Sequence, residues 1–145
     1  MATILYAEDD RDCRELFAFV LRQNNHTVYE ANNGAQAVQI VREEPIDLVL
    51  LDVRMPLMTG FDAARILARE APHIPVIFLS AKGLGREISR GFACGEMVVD
   101  YLVKPVSTTE LVSRVEQILD GCRRHGLRTV REEALAHLVE VSPTV

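Results

Sequence analysis

Two spacings of apolar residues alternate along this chain. Compact runs at residues 4–7, 27–31, 48–51, 76–79 and 98–103 have the length and β-prone content of strands. Between them apolar residues recur every three or four positions, as on one face of a helix. Cys13, Leu16, Phe17, Val20 and Leu21 share such a face over about 11–24. Asn32-Asn33-Gly34 breaks the second run, and Ala35, Val38 and Val41 then carry a helix as far as Pro45. After a Met55-Pro56 turn and Gly60, the residues Phe61, Ala64, Leu67 and Ala68 mark a third helix stopped by Pro72. A fourth is expected near 86–94, weakened by Gly91, since a glycine inside a helix costs about 1 kcal/mol against alanine. Ser107-Thr108-Thr109-Glu110 is a capping box, and Leu111, Val112, Val115, Ile118 and Leu119 follow as a strongly amphipathic helix.

Strand and helix thus alternate five times. Parallel strands need crossover connections, so this order implies an α/β protein: a doubly wound parallel sheet with helices on both faces. The third, fourth and fifth strands are apolar at nearly every position, as burial on both faces requires. A chain of 145 residues is long enough for one domain with a real core. The net charge of −5 and the lack of a dense basic stripe argue against a nucleic-acid surface. No apolar stretch has the length of a membrane span, and strand-like sequence begins directly after Met1-Ala2, which argues against a signal peptide. Cys13, Cys94 and Cys122 are too scattered for a disulfide framework. A reduced, soluble, cytoplasmic protein is expected.

The polar residues at the ends of the strands change this from a fold class to a chemistry. Asp47-Leu48-Val49-Leu50-Leu51 ends in Asp52, Ile4-Leu5-Tyr6-Ala7 in Glu8-Asp9-Asp10, and Tyr101-Leu102-Val103 in Lys104-Pro105. Ser80 ends the fourth strand. In a parallel doubly wound sheet the carboxyl ends of the strands form the ligand-binding edge, so these groups converge. Two carboxylates about 4 Å apart repel by roughly 4 kcal/mol at an effective dielectric of 20. Three converging acids therefore call for a hard divalent cation with oxygen ligands. Asp10 is expected to act only as the N-cap of the first helix.

Taken together, Glu8-Asp9, Asp52-x-x-Met55-Pro56-x-x-x-Gly60, Ser80-Ala81 and Asp100-Tyr101-x-x-Lys104-Pro105 resemble the motifs of a response-regulator receiver domain, over about residues 3–120. The resemblance implies a five-stranded parallel sheet of order 2-1-3-4-5, flavodoxin-like, with five helices. It implies that Asp52 accepts a phosphoryl group from a histidine kinase or phosphotransfer protein. Asp9 would ligate Mg²⁺ (or Mn²⁺) directly and Glu8 largely through water, with Asp52 and the backbone carbonyl of Arg54 completing the protein ligands. Lys104 would contact the phosphoryl oxygens, and Ser80 and Tyr101 would switch on phosphorylation. The implied protein is a signalling phospho-switch of two-component signalling, not an enzyme acting on other substrates. Its downstream protein target would bind the face of the fourth helix, fifth strand and fifth helix, and the chain would be a monomer or weak homodimer.

Three departures from the pattern stand out. The segment from Gly95 to Asp100 is about two residues longer than is usual before the aromatic. Position 80 is Ser where Thr is commoner. Arg54 and Lys82 occupy positions that tune phosphoryl lifetime, where a cation either hinders attacking water or helps hold phosphate. Residues 122–145 lie beyond the family core of 1–121. Thr129-Val130-Arg131-Glu132 reads as a second capping box, giving a sixth helix of about ten residues that ends before Ser142-Pro143. That helix is either docked on the domain, a partner helix, or a linker; it is too short for a DNA-binding module. Three other functions compete. An aspartyl-phosphate hydrolase would carry a second acid where Arg54 stands. A pseudo-receiver that never takes phosphate is disfavoured by the intact acids and Lys104. A flavodoxin-like redox protein is disfavoured because Glu8-Asp9-Asp10 would repel a flavin phosphate.

Overall fold

The computed structural model describes residues 1–81 and 83–141; Lys82 and the expected Ser142-Pro143 stop lie outside them. Along the chain run β1 (Thr3–Ala7), α1 (Arg11–Gln23), β2 (Thr27–Ala31), α2 (Gly34–Glu43), β3 (Leu48–Asp52) and α3 (Gly60–Glu70). They continue as β4 (Val76–Ser80), α4 (Gly85–Phe92), β5 (Val98–Val103), α5 (Thr108–His125) and α6 (Leu127–Val141). The strands pair in parallel in the order β2-β1-β3-β4-β5.

Alternation along each strand divides the interior into two cores. Ile4, Tyr6, Leu48, Leu50, Ile77 and Leu79 meet Phe17, Ala18 and Leu21 of α1 and Leu111, Val115 and Ile118 of α5. Leu5, Ala7, Val49, Leu51, Val76 and Phe78 face α2, α3 and α4 through Val38, Phe61, Leu67 and Phe92. The buried face of α1 is rotated from the expected one: Ala18 is buried, while Leu16 is 52% exposed. An apolar side chain at the margin of a helical stripe is not pulled inward when the small Ala18 lets the sheet approach on the other side.

Helix starts follow the capping chemistry. Asp10 Oδ1 accepts from the Cys13 amide at 2.9 Å, and Asn33 Oδ1 from Gln36 at 2.8 Å. Ser107 Oγ accepts from Glu110 at 3.0 Å. Ser107→Ala is expected to lower stability by about 1 kcal/mol, read as a shifted urea midpoint at unchanged slope.

The long segment before Tyr101 is partly absorbed as a bulge. Val76 pairs with Val98 but Ile77 with Asp100, so β5 carries one extra residue, Val99, which is itself buried. Asp100 is fixed there by the Arg114 guanidinium, whose Nε lies 2.9 Å from Oδ2.

The C-terminal helix differs from expectation. It is 15 residues long and starts at Leu127, two residues before the supposed capping box. Gly126, at φ 88°, takes a conformation closed to most side chains, so one residue ends α5 and lets α6 begin at once. Thr129 therefore lies inside the helix. α6 docks beside β5: Val130 is buried against one core, and Ala134, Leu135 and Leu138 pack on the other.

Candidate functional site

Among the expected groups, Tyr101 lies within β5 and Arg54 in the loop after β3, while Glu8, Asp9, Asp52, Ser80 and Lys104 all stand at the carboxyl ends of their strands. Register does this directly: Ala7 pairs with Leu51, Asp52 with Leu79, and Ser80 with Val103. One residue beyond β1 and β5 come Glu8 and Lys104, and the Lys104 amide donates to the Ser80 carbonyl at 2.7 Å. Carboxylate oxygens of Glu8, Asp9 and Asp52 all lie within 4.8 Å of one another. Glu8 and Asp52 are 1% and 6% exposed, whereas Asp9 is open to solvent.

The loop after Asp52 is held by close backbone approach. The Gly60 amide donates to the Val53 carbonyl at 2.9 Å, and a Cβ at Gly60 would lie 2.2 Å from the Asp52 carbonyl oxygen. Gly34 does the same from α2, its amide 3.0 Å from the Met58 carbonyl. This explains the glycine eight residues after the acid: the loop folds back on the strand that delivers Asp52. Arg54 is exposed in that loop and lines a cavity of about 300 Å³ with Thr59, Glu87 and Arg90.

Charge in the site is uneven. The Lys104 ammonium is bonded to Glu8 Oε1 and stands 3.7 Å from Asp52 Oδ1. Burial works against the Glu8 carboxylate, but the hydrogen bonds from Lys104 and Asp52 and the amide of Asp10 hold its pKa below the usual range. Asp52 has less help, since only the charge of Lys104 acts to lower it. Burial, followed by the hydrogen bond and charge of Glu8, pushes its pKa up to about 7. Lys104 is also desolvated, yet its contacts with Glu8 and Asp52 keep it firmly protonated. The donor set consists of oxygens only and carries excess negative charge, so it fits a hard cation such as Mg²⁺.

The expected switch pair is already in contact. Tyr101 is buried, its phenol bonded to the Ser80 side chain and its ring 5.9 Å from that of Phe78. Gly91 of α4 makes room for it, since a Cβ there would lie 2.9 Å from Tyr101 Cδ2.

Some site residues carry no sequence signal. Arg14 donates to the Glu8 carbonyl at 2.7 Å and lies 3.3 Å from Glu30, tying α1 and β2 to the acid turn. The Tyr6 hydroxyl, buried beneath the acids, meets Cys13 Sγ at 3.7 Å. Neither contact follows from any spacing.

A doubly wound sheet presenting two acids, an aspartate, a hydroxyl and a lysine at one edge defines an acid-and-lysine site of the phosphoryl-handling kind. A family model, the response regulator receiver domain, matches residues 4–116. The chain belongs to that family. It is 38% identical over 118 residues to the phosphate regulon transcriptional regulatory protein PhoB of Klebsiella pneumoniae, covering 80% of this chain and 51% of that protein. The chain thus spans about half the length of the curated relatives it matches. The Francisella response regulator 1452 receiver domain superposes with a TM-score of 0.77 at 28% identity, covering 83% of this chain and 98% of that one. The response regulator TrrA of Thermotoga maritima, solved in complex with Mg²⁺ and BeF, gives 0.71 at 26% identity, covering 81% and 98%.

Proposed function

We propose that Asp52 accepts a phosphoryl group from the phosphohistidine of a histidine kinase or phosphotransfer protein, and that the chain switches protein–protein contacts in response. The observation that carries this is the burial of Asp52 beside Glu8 and Lys104. It makes Asp52 more basic than an ordinary carboxylate and surrounds it with groups suited to phosphoryl oxygens. An Asp52 carboxylate oxygen attacks phosphorus, the phosphorus–nitrogen bond breaks, and the imidazole leaves with the electron pair. Lys104, already 3.7 Å from Asp52, would neutralise a phosphoryl oxygen. Glu8, Asp9, Asp52 and the Arg54 carbonyl would hold Mg²⁺, which supplies charge neutralisation for the acids and the transferred group. The Ser80 hydroxyl would turn toward a phosphoryl oxygen, and Tyr101 would fill the space vacated. Arg54 and Lys82 would set how long the adduct lasts. We read the chain as a cytoplasmic signalling switch and not as an enzyme with an external substrate. Its partners would be the phosphodonor and a downstream protein at α4, β5 and α5, with no nucleic-acid contact of its own.

Incubation with Mg²⁺ and a small-molecule phosphodonor tests this by intact mass. A single phosphoryl adduct is expected, absent in Asp52→Asn and absent with chelator. A chain that takes neither phosphoryl nor beryllofluoride is a phosphate-independent interaction module, and the proposal is then wrong.

A further inference from the structure

We propose that the lengthened segment before β5 forms a guanidinium-binding cup that seats α6, and that two copies of the chain pair by exchanging α6 about the Gly126 hinge. Arg131 of α6 donates to the carbonyls of Phe92 at 2.9 Å, Gly95 at 2.7 Å and Val98 at 2.9 Å, and its guanidinium stands 5.4 Å from the centre of the Phe92 ring. Phe92 is the last residue of α4, where helix carbonyls lack partners and the dipole is negative. Gly95 belongs to the lengthened segment itself, and Val98 lies on β5, whose outer side no strand pairs. Three fixed acceptors around one point suit a planar fork of N–H donors better than the compact ammonium of a lysine. The rest of the seat is apolar. Val130 sits over Gly121, where a Cβ would meet its Cγ2 at 2.9 Å, and Ala134, Leu135 and Leu138 pack on the core. With Arg131 these residues recur at helical spacing on one face of α6. The cup opens at the amino end of β5, at the other end of that strand from Lys104, and needs no group on Asp52.

Every copy of the chain thus carries both the seat and the helix that fits it, and Gly126 alone joins α6 to the rest. α5 ends at His125 and α6 begins at Leu127, with Gly126 at φ 88° reversing the chain between them. With Gly126 in the helical region instead, α5 would run on into α6, leaving the apolar stripe and the cup both uncovered. A second copy in the same state covers both: its α6 enters this cup and this α6 enters its cup, a two-fold symmetric pairing. The contacts are those already made within one chain, so the two arrangements differ at the hinge and in their dependence on concentration. A one-residue connection in a conformation that few residues adopt is the kind of hinge at which such exchange occurs. A segment tethered this closely competes with a second copy at a roughly millimolar effective concentration, so pairing grows as the protein approaches that range. A Cβ on Gly126 would meet nothing within 4 Å, so alanine there changes the hinge conformation without touching the packing.

The test uses the full 145-residue chain and light scattering for mass. Wild type is expected to be a monomer when dilute and to dimerise toward about 1 mM. Gly126→Ala should dimerise at least about tenfold more tightly, because alanine disfavours the reversal and favours a continuous helix. Exchange itself is read by mixing two defective chains. Gly121→Val blocks the seat but keeps a sound α6, and Arg131→Ala spoils α6 but keeps a sound seat. Within either chain the fit is poor. Between them one sound α6 meets one sound seat, so the mixture should dimerise at least about tenfold more tightly than either variant alone. A wild-type chain still monomeric at about 1 mM overturns the proposal, as does a Gly126→Ala chain no more dimeric than wild type. A mixture that behaves as the sum of its parts overturns it too, since pairing would then use another surface. Should a variant not fold, wild type and the remaining comparison decide.

Discussion

Asp52→Asn is expected to stabilise the metal-free chain at pH 8 by an amount on the order of 2–4 kcal/mol. Asp52 is buried beside Glu8, and its pKa rises to about 7 in the folded protein from an ordinary value near 3.8. Between those values the folded state binds more protons than the unfolded one, so stability falls as pH rises from about 4 to about 7. Asparagine has nearly the same shape and no charge to desolvate. The gain should be full above pH 7, shrink as pH falls through 7, and vanish near pH 4. Glu8 runs in the opposite direction. Its lowered pKa gives stability present above the usual carboxylate range and lost on acidification, and it is common to both proteins. Urea unfolding in chelator at pH 8 and pH 5 separates the two. An asparagine variant no more stable than wild type at pH 8 would mean that Asp52 is not penalised by its surroundings.

Lys104→Ala should act the other way, with a loss of about 3 kcal/mol in chelator at neutral pH. The ammonium bonds Glu8, which is almost wholly buried, and removing it leaves Glu8 and Asp52 facing each other with no cation between them. The deficit should shrink when Mg²⁺ is added, because a divalent cation in the acid cluster restores the missing positive charge. Wild type should gain less from the same addition. Unfolding curves of both proteins with and without Mg²⁺ check this. A variant whose loss is unaffected by Mg²⁺ would show that the acids around Asp52 do not share one cation site.

The sequence made most of the fold legible, because five apolar runs separated by helical spacing leave few arrangements for a parallel sheet. The site was legible for a related reason: strand ends are places, so Glu8, Asp52, Ser80 and Lys104 could be assembled on paper before any coordinate. What the chain hides is long-range pairing. Nothing in the spacing says that Lys104 bonds Glu8 more closely than Asp52, or that Arg14 reaches the Glu8 carbonyl. The α6 boundary was hidden for a local reason. Thr129 and Glu132 have the spacing of a capping box, but Gly126 had already started the helix. The role of Arg131 was hidden because a surface-type residue at a helix position gives no sign that it will find three carbonyls. The two extra residues before Tyr101 were visible, but not that Val99 would be taken up as a buried bulge.

One further consequence comes from two arginines at opposite sides of the sheet. β2 and β5 are its outermost strands, and such strands present unpaired carbonyls and amides that invite a strand from another chain. On β2, Arg22 Nη2 donates to the Val28 carbonyl at 2.7 Å. On β5, Arg131 Nη1 donates to Val98. Each border thus has one carbonyl held by a guanidinium that a visiting strand would have to displace, and on the β5 side that guanidinium is carried by α6.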